Sequence, residues 1–157
     1  MIKAICDNKK RIIYGIFVIA WMILIFSFSS QNGEESQKTS GYFTDKVVQI
    51  ISKVKSDIDI GNTEEIVSFI IRKMAHFSIY FVGGILIFNF VGTFPLKLKN
   101  VILLTFIIGC VYSISDEIHQ LFISERAGQI RDVLIDSAGV MIATFLMGKF
   151  KEEKWKN

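Results

Sequence analysis

Four long apolar runs separated by charged connections set the pattern of this 157-residue chain. A bilayer core about 30 Å thick takes about 20 mostly apolar residues in a helix, and the runs predict membrane spans over about residues 12–31, 74–95, 100–121 and 130–148. From Ile12 to Gly33 no residue carries a formal charge. This run follows Lys9, Lys10 and Arg11 as a secretory signal would, but it is long for such a signal and no A-x-A cleavage site follows, so it reads as a retained helix. The second run lies between Lys73 and Lys97 and is expected to end at Pro95, which cannot continue a helix. The third meets Asp116 and Glu117 before it is long enough to cross. The fourth is long enough only if Asp136, and Asp132 with it, lies inside the membrane boundary. Both short spans therefore carry acids at membrane depth.

The connection between the first and second spans carries a different pattern. Phe43, Val47, Ile50, Ile51, Val54 and Ile58 recur at helical spacing between Lys46, Lys53, Lys55 and Asp57, which predicts an amphipathic helix over residues 43–58 lying in the membrane interface. Gly61 and Asn62 are expected to break it, with Asn62 and Glu65 forming a capping box that starts the second membrane helix. The class is thus all-α: a polytopic membrane protein of four transmembrane helices with this amphipathic segment as a cover.

Composition agrees. Hydrophobic residues make up 51% of the chain and mean hydropathy is +0.44, above an ordinary soluble domain. The net charge of +3 is small and dispersed, with no basic stripe interleaved with aromatics, which argues against nucleic acid as a partner. Cys6 precedes the first run and Cys110 lies inside the third, a poor pair for a disulfide. The basic residues do fix an orientation. Lys3, Lys9, Lys10, Arg11, Lys97, Lys99, Lys149, Lys151, Lys154 and Lys156 flank one side, ten of the 18 basic residues, and the positive-inside rule puts that side and both termini in the cytoplasm. The segment over residues 43–58 is then extracytoplasmic.

Counting along the spans at 1.5 Å per residue brings the polar groups of three helices to one depth in the outer leaflet. Arg72, His76 and Tyr80 share a face of the second helix, followed there by Gly83 and Gly84. Ser113, Asp116 and Gln120 share one of the third, with Glu117 adjacent, and Asp132, Asp136 and Gly139 share one of the fourth. Lys73, Arg126, Arg131 and, from the end of the first helix, Ser27, Ser29, Ser30 and Gln31 lie at the same level. His119 falls off the Asp116/Gln120 face, and the Met and Phe residues read as lipid-facing filler. A carboxylate or guanidinium at this depth is costly unless it faces inward and meets a partner. One outcome is a set of helix-pinning ion pairs such as Arg72–Asp116 and Arg126–Asp132. The other is a polar ligand site, in which Asp116, Glu117, Asp132 and Asp136 can also offer oxygen ligands to a divalent cation such as Mg²⁺.

At these residues the chain resembles the VanZ-like family of small bacterial membrane proteins. The resemblance lies in FSFSSQNGEES from Phe26, RKMAHFSIY from Arg72 and SDEIHQLFISERAGQIRDVLIDSAG from Ser115, with family residues matched at Ser30, Gln31, Arg72, Lys73, His76, Tyr80, Asp116, Glu117, Gln120, Arg126, Asp132 and Gly139. Asp136 departs from it, standing where an asparagine is expected. The resemblance implies a single domain over residues 1–157, placement in the bacterial cytoplasmic membrane and a cell-envelope role, the founding member being associated with resistance to the glycopeptide teicoplanin. It implies no settled reaction. The residues suit the phosphate of an anionic envelope lipid, with Arg72, Lys73 and Arg126 contacting phosphate, Tyr80, Gln120, Asp132, Asp136, Ser30 and Gln31 lining the site, and His76, Asp116 and Glu117 available for acid, base or metal-assisted chemistry. A non-enzymatic binding or assembly protein and a small proton-coupled transporter are the alternatives.

Overall fold

The computed structural model describes residues 2–32, 38, 41, 44–50, 60–126 and 128–156. Four long helices alternate in direction: α1 (Ile2–Ser29), α2 (Ile60–Val91), α3 (Leu98–Gln120) and α4 (Ile130–Lys156). Each contains a stretch long and apolar enough to cross a membrane: Asn8–Ser29, Glu64–Val91, Leu98–Gln120 and Ile130–Glu153. The bundle exposes its large hydrophobic residues, Ile12, Ile16, Ile19 and Ile23 on α1 among them, and buries acids and hydroxyls. That inversion of a soluble core is what lipid as solvent demands. Residues 44–50 are helical, inside the predicted amphipathic segment, with Val47 and Ile50 exposed; Phe43, Ile51, Val54 and Ile58 lie outside the described residues.

Small residues decide how the helices meet. A Cβ on Gly139 would stand 2.5 Å from the Phe77 carbonyl oxygen, and one on Gly84 would stand 2.9 Å from the Ala143 Cβ and 3.1 Å from the Val140 backbone. The α2–α4 pair is therefore the tightest in the bundle. Gly109 lets α3 approach the Val140 side chain in the same way. α1 sits at the edge, chiefly on α2, where the Trp21 ring occupies the space above Gly83 and its Nε1–H donates to the Ile79 carbonyl at 3.0 Å. The apolar core of Trp21, Ile25, Tyr80, Ile87, Phe88, Val91, Val101 and Val140 includes Phe88, with Met22, Phe90, Phe106 and Met147 packed against it, so Met and Phe are not only lipid-facing.

Several helix ends differ from the expected span limits. α1 begins by Ile2 and α4 runs to Lys156 because charged flanks stop a membrane span but not a helix. α2 closes at Val91, four residues before Pro95, since the residue before a proline is pushed out of the helical region. Its end is fixed by the Gly92, Thr93 and Phe94 N–H groups donating back into the last turn and by the Thr93 hydroxyl donating to Phe90 at 2.7 Å. α2 already includes Gly61 and Asn62, so Asn62 is not its cap.

Candidate functional site

The end of the bundle that joins α3 to α4 holds four buried carboxylates: Asp116 and Glu117 from α3, Asp132 and Asp136 from α4. α3 delivers its pair because Val101, Thr105, Gly109, Ser113, Asp116, Glu117 and Gln120 form a single buried stripe at helical spacing. In α4, Asp132 lies in the first turn and Asp136 one turn on. Opposite them α2 presents Lys73, His76 and Tyr80. Lys73 Nζ pairs with Asp132 Oδ1, and His76 Nδ1 stands 3.4 Å from Asp136 Oδ1. The inward face of α2 therefore starts at Lys73, and Arg72 is exposed beside it. The Arg72–Asp116 and Arg126–Asp132 pairs, one of the two outcomes weighed above, do not form; Lys73 takes Asp132, where Gly139 lets α4 pack on the Phe77 side of α2. The acid that meets His76 is Asp136.

The connection between α3 and α4 is folded onto the site. A Cβ on Gly128 would stand 2.3 Å from the Glu117 carbonyl oxygen, so glycine allows the loop to lie on the α3 backbone. The next residue then donates its N–H: Gln129 N to Glu117 Oε2, 2.8 Å. Glu125 takes a φ of 62° in this turn. Arg126 reaches back, donating to Gln120 Oε1 at 3.5 Å and to the Phe28 carbonyl at the end of α1 at 3.3 Å. Gln120 Nε2 in turn donates to Asp116 Oδ2 and Glu117 Oε1 at 3.3 and 3.4 Å. One amide thus couples the guanidinium to both acids. Burial holds the Arg126 guanidinium below its usual pKa, Asp116 and Glu117 oppose that, and nearby Arg72 adds to it.

Beneath the charges lies an aromatic floor. Trp21, Tyr80 and Tyr112 touch one another at ring-centroid distances of 5.2 to 6.3 Å. The Tyr112 hydroxyl donates to the Met22 carbonyl at 2.6 Å. The Tyr80 hydroxyl is buried beside Asp116 and Asp136, Asp136 Oδ1 is buried with only the His76 imidazole facing it, and the Ser29 hydroxyl is buried without a hydrogen-bond partner among the described residues. Ser113 donates to the other Asp136 oxygen at 3.1 Å.

The end of α1 closes one side. Ser27 and Ser30 donate their hydroxyls back to the carbonyls of Ile23 and Phe26, and Ser30 Oγ also lies 3.2 Å from His119 Nε2. His119 stacks on Phe26 at 4.4 Å and so ties α3 to α1, away from the acid cluster. Gln31 contributes its backbone N–H to Phe28, and among the described residues its side chain joins nothing in the cluster. Arg131 is exposed. Sequence reasoning missed Trp21, Tyr112, Gly128 and the Gln129 N–H. Tyr112 was accessible, standing at i−4 from Asp116; the others depend on how the loop and α1 pack.

His76, Glu117 and Asp136 each offer a donor atom within 4.8 Å of the other two, so the metal-capable set differs from the four carboxylates expected: His76 enters it, while Asp132 is engaged by Lys73. Compared with known proteins, the VanZ/LLP1 family model matches residues 14–151. No curated protein and no solved structure matches the chain.

Proposed function

The chain belongs to the VanZ/LLP1 family, and we propose that its acid-rich end faces the outside of the bacterial cytoplasmic membrane and holds the phosphate of an anionic envelope lipid. The observation that carries this is the Arg126 guanidinium. It is half-buried at the acid-rich end and bonded to the neutral oxygens of Gln120 and Phe28, with no carboxylate in direct contact among the described residues, and the exposed Arg72 lies at the same end. A partly desolvated guanidinium held only by neutral oxygens is stabilised further by an anion. Arginine is suited to that anion because its planar fork contacts phosphate oxygens in pairs. Lys73 serves this site at one remove, by neutralising Asp132.

Depth supports a lipid over a soluble phosphate compound. The cluster belongs to helices whose outer faces are Ile, Leu, Phe and Val, so acyl chains can lie along the bundle while the head group meets Arg72 and Arg126. A contribution to glycopeptide tolerance follows from removing or altering such a lipid. In a reacting version His76, beside Asp136, moves the proton and the guanidiniums take the phosphoryl charge.

The test is mass spectrometry of lipids extracted from purified protein at successive times. A phosphate-bearing lipid in wild type that is depleted in Arg126→Gln supports the proposal, and equal lipid profiles overturn it. Conversion of the lipid with time separates an enzyme from a binder.

A further inference from the structure

The acid cluster has more negative charge than its neighbours balance, and this leads to a second ligand. Asp116, Glu117, Asp132 and Asp136 are all buried, while the cations in contact with the cluster are Lys73, on Asp132, and Arg126, bonded through Gln120. The balance is short by two positive charges with a neutral imidazole at His76, and still by one with that imidazole protonated against Asp136, and uncompensated buried carboxylates cost several kcal/mol each. We propose that His76, Glu117 and Asp136 form a binding site for one divalent cation of the zinc class. This stands on the cluster itself and goes beyond the lipid reading.

Three features agree. Two donors each about 2.1 Å from a tetrahedral ion stand about 3.4 Å apart, and that is the separation of His76 Nδ1 from Asp136 Oδ1. The same Asp136 oxygen is fully buried, faces only the His76 imidazole and makes no hydrogen bond of good geometry, so a cation between the two would meet a desolvated carboxylate oxygen. Both carboxylates are oriented by other groups: Ser113 donates to Asp136 Oδ2, and Glu117 accepts the Gln129 N–H on Oε2 at 2.8 Å and a long bond from Gln120 Nε2 on Oε1 at 3.4 Å, the outer-shell arrangement that orients metal-binding carboxylates. One imidazole and two carboxylates leave a fourth position open, the ligand number of catalytic rather than structural zinc sites. The mixed nitrogen and oxygen donors favour Zn²⁺ over Mg²⁺.

The experiment uses the full chain in detergent, stripped with a chelator and dialysed against Zn²⁺ alone, with bound metal measured by elemental analysis and folding by thermal melting. Wild type is expected to retain one equivalent. Glu117→Gln and Asp136→Asn are each expected to weaken binding by about tenfold or more while Glu152→Gln, in the exposed tail, binds as wild type does. Either of the first two suffices if the other fails to fold. Folded wild type that retains no zinc, or folded Glu117→Gln and Asp136→Asn proteins that bind it as tightly as wild type, would overturn the site. Lipid retention plays no part in the measurement, so its outcome is independent of the lipid reading.

Discussion

At the end of the bundle that carries the α2–α3 connection, polar groups meet the membrane boundary as they do at the acid-rich end, but they are treated in the opposite way. Arg11 lies over the Phe94 ring at 4.3 Å and bonds the Thr93 carbonyl at 3.2 Å; Lys149 and Lys151 lie 4.7 and 5.6 Å from the rings of Phe145 and Phe88. These cations keep apolar stems against aromatic surface and their charge toward water. Among the described residues, the Lys73–Asp132 and His76–Asp136 ion pairs belong to the other end, where the carboxylates are buried. Cations at the boundary are inexpensive and set orientation. Buried acids cost stability, and their gathering in one place is the feature on which the proposed recognition site rests.

The comparison can be broken most sharply by topology. A cysteine introduced at Ser52 is expected to react with an impermeant thiol reagent in intact cells and one at Lys154 to remain unlabelled; the reverse would put the acid-rich end in the cytoplasm. Next in size is the contact that brings α4 to the site. A methyl group at Gly139 meets the Phe77 backbone, so Gly139→Ala should lower stability in detergent by about 1–3 kcal/mol, and Gly139→Leu should prevent accumulation in the membrane. Lys73→Met leaves Asp132 without its partner. Both side chains keep some exposure, 19% and 10%, so the expected loss is discounted to about 2 kcal/mol, read as a lower melting temperature. The smallest effect belongs to the other end: Arg11→Gln should change stability by less than about 1 kcal/mol.

Four spans and the convergence of polar groups were legible in the sequence because the hydrophobic period and the span length are local properties. The pairing was not. Arg72 and Lys73 lie on either side of the His76 direction on α2, and which of them turns inward is settled by Gly139 and Gly84, where α4 packs. Helix ends were misread wherever a charged flank continues the helix, as in α1 and the tail of α4, because the pattern reports the membrane and not the backbone hydrogen bonds. The Gln129 N–H on Glu117 and the Trp21 ring on Gly83 depend on a loop and a neighbouring helix, for which single-helix periodicity has no signal.

The central claim is that the guanidiniums at the acid-rich end recognise an anionic head group while the basic residues at the other end do not. It is tested most directly by quantifying phosphate-bearing lipid retained by equal amounts of folded wild type, the Arg72→Gln/Arg126→Gln double variant and the Lys149→Gln/Lys151→Gln double variant. The account predicts that retention falls at least about tenfold in the first double variant and stays near wild type in the second. Equal retention in all three, or equal loss in both variants, would contradict it.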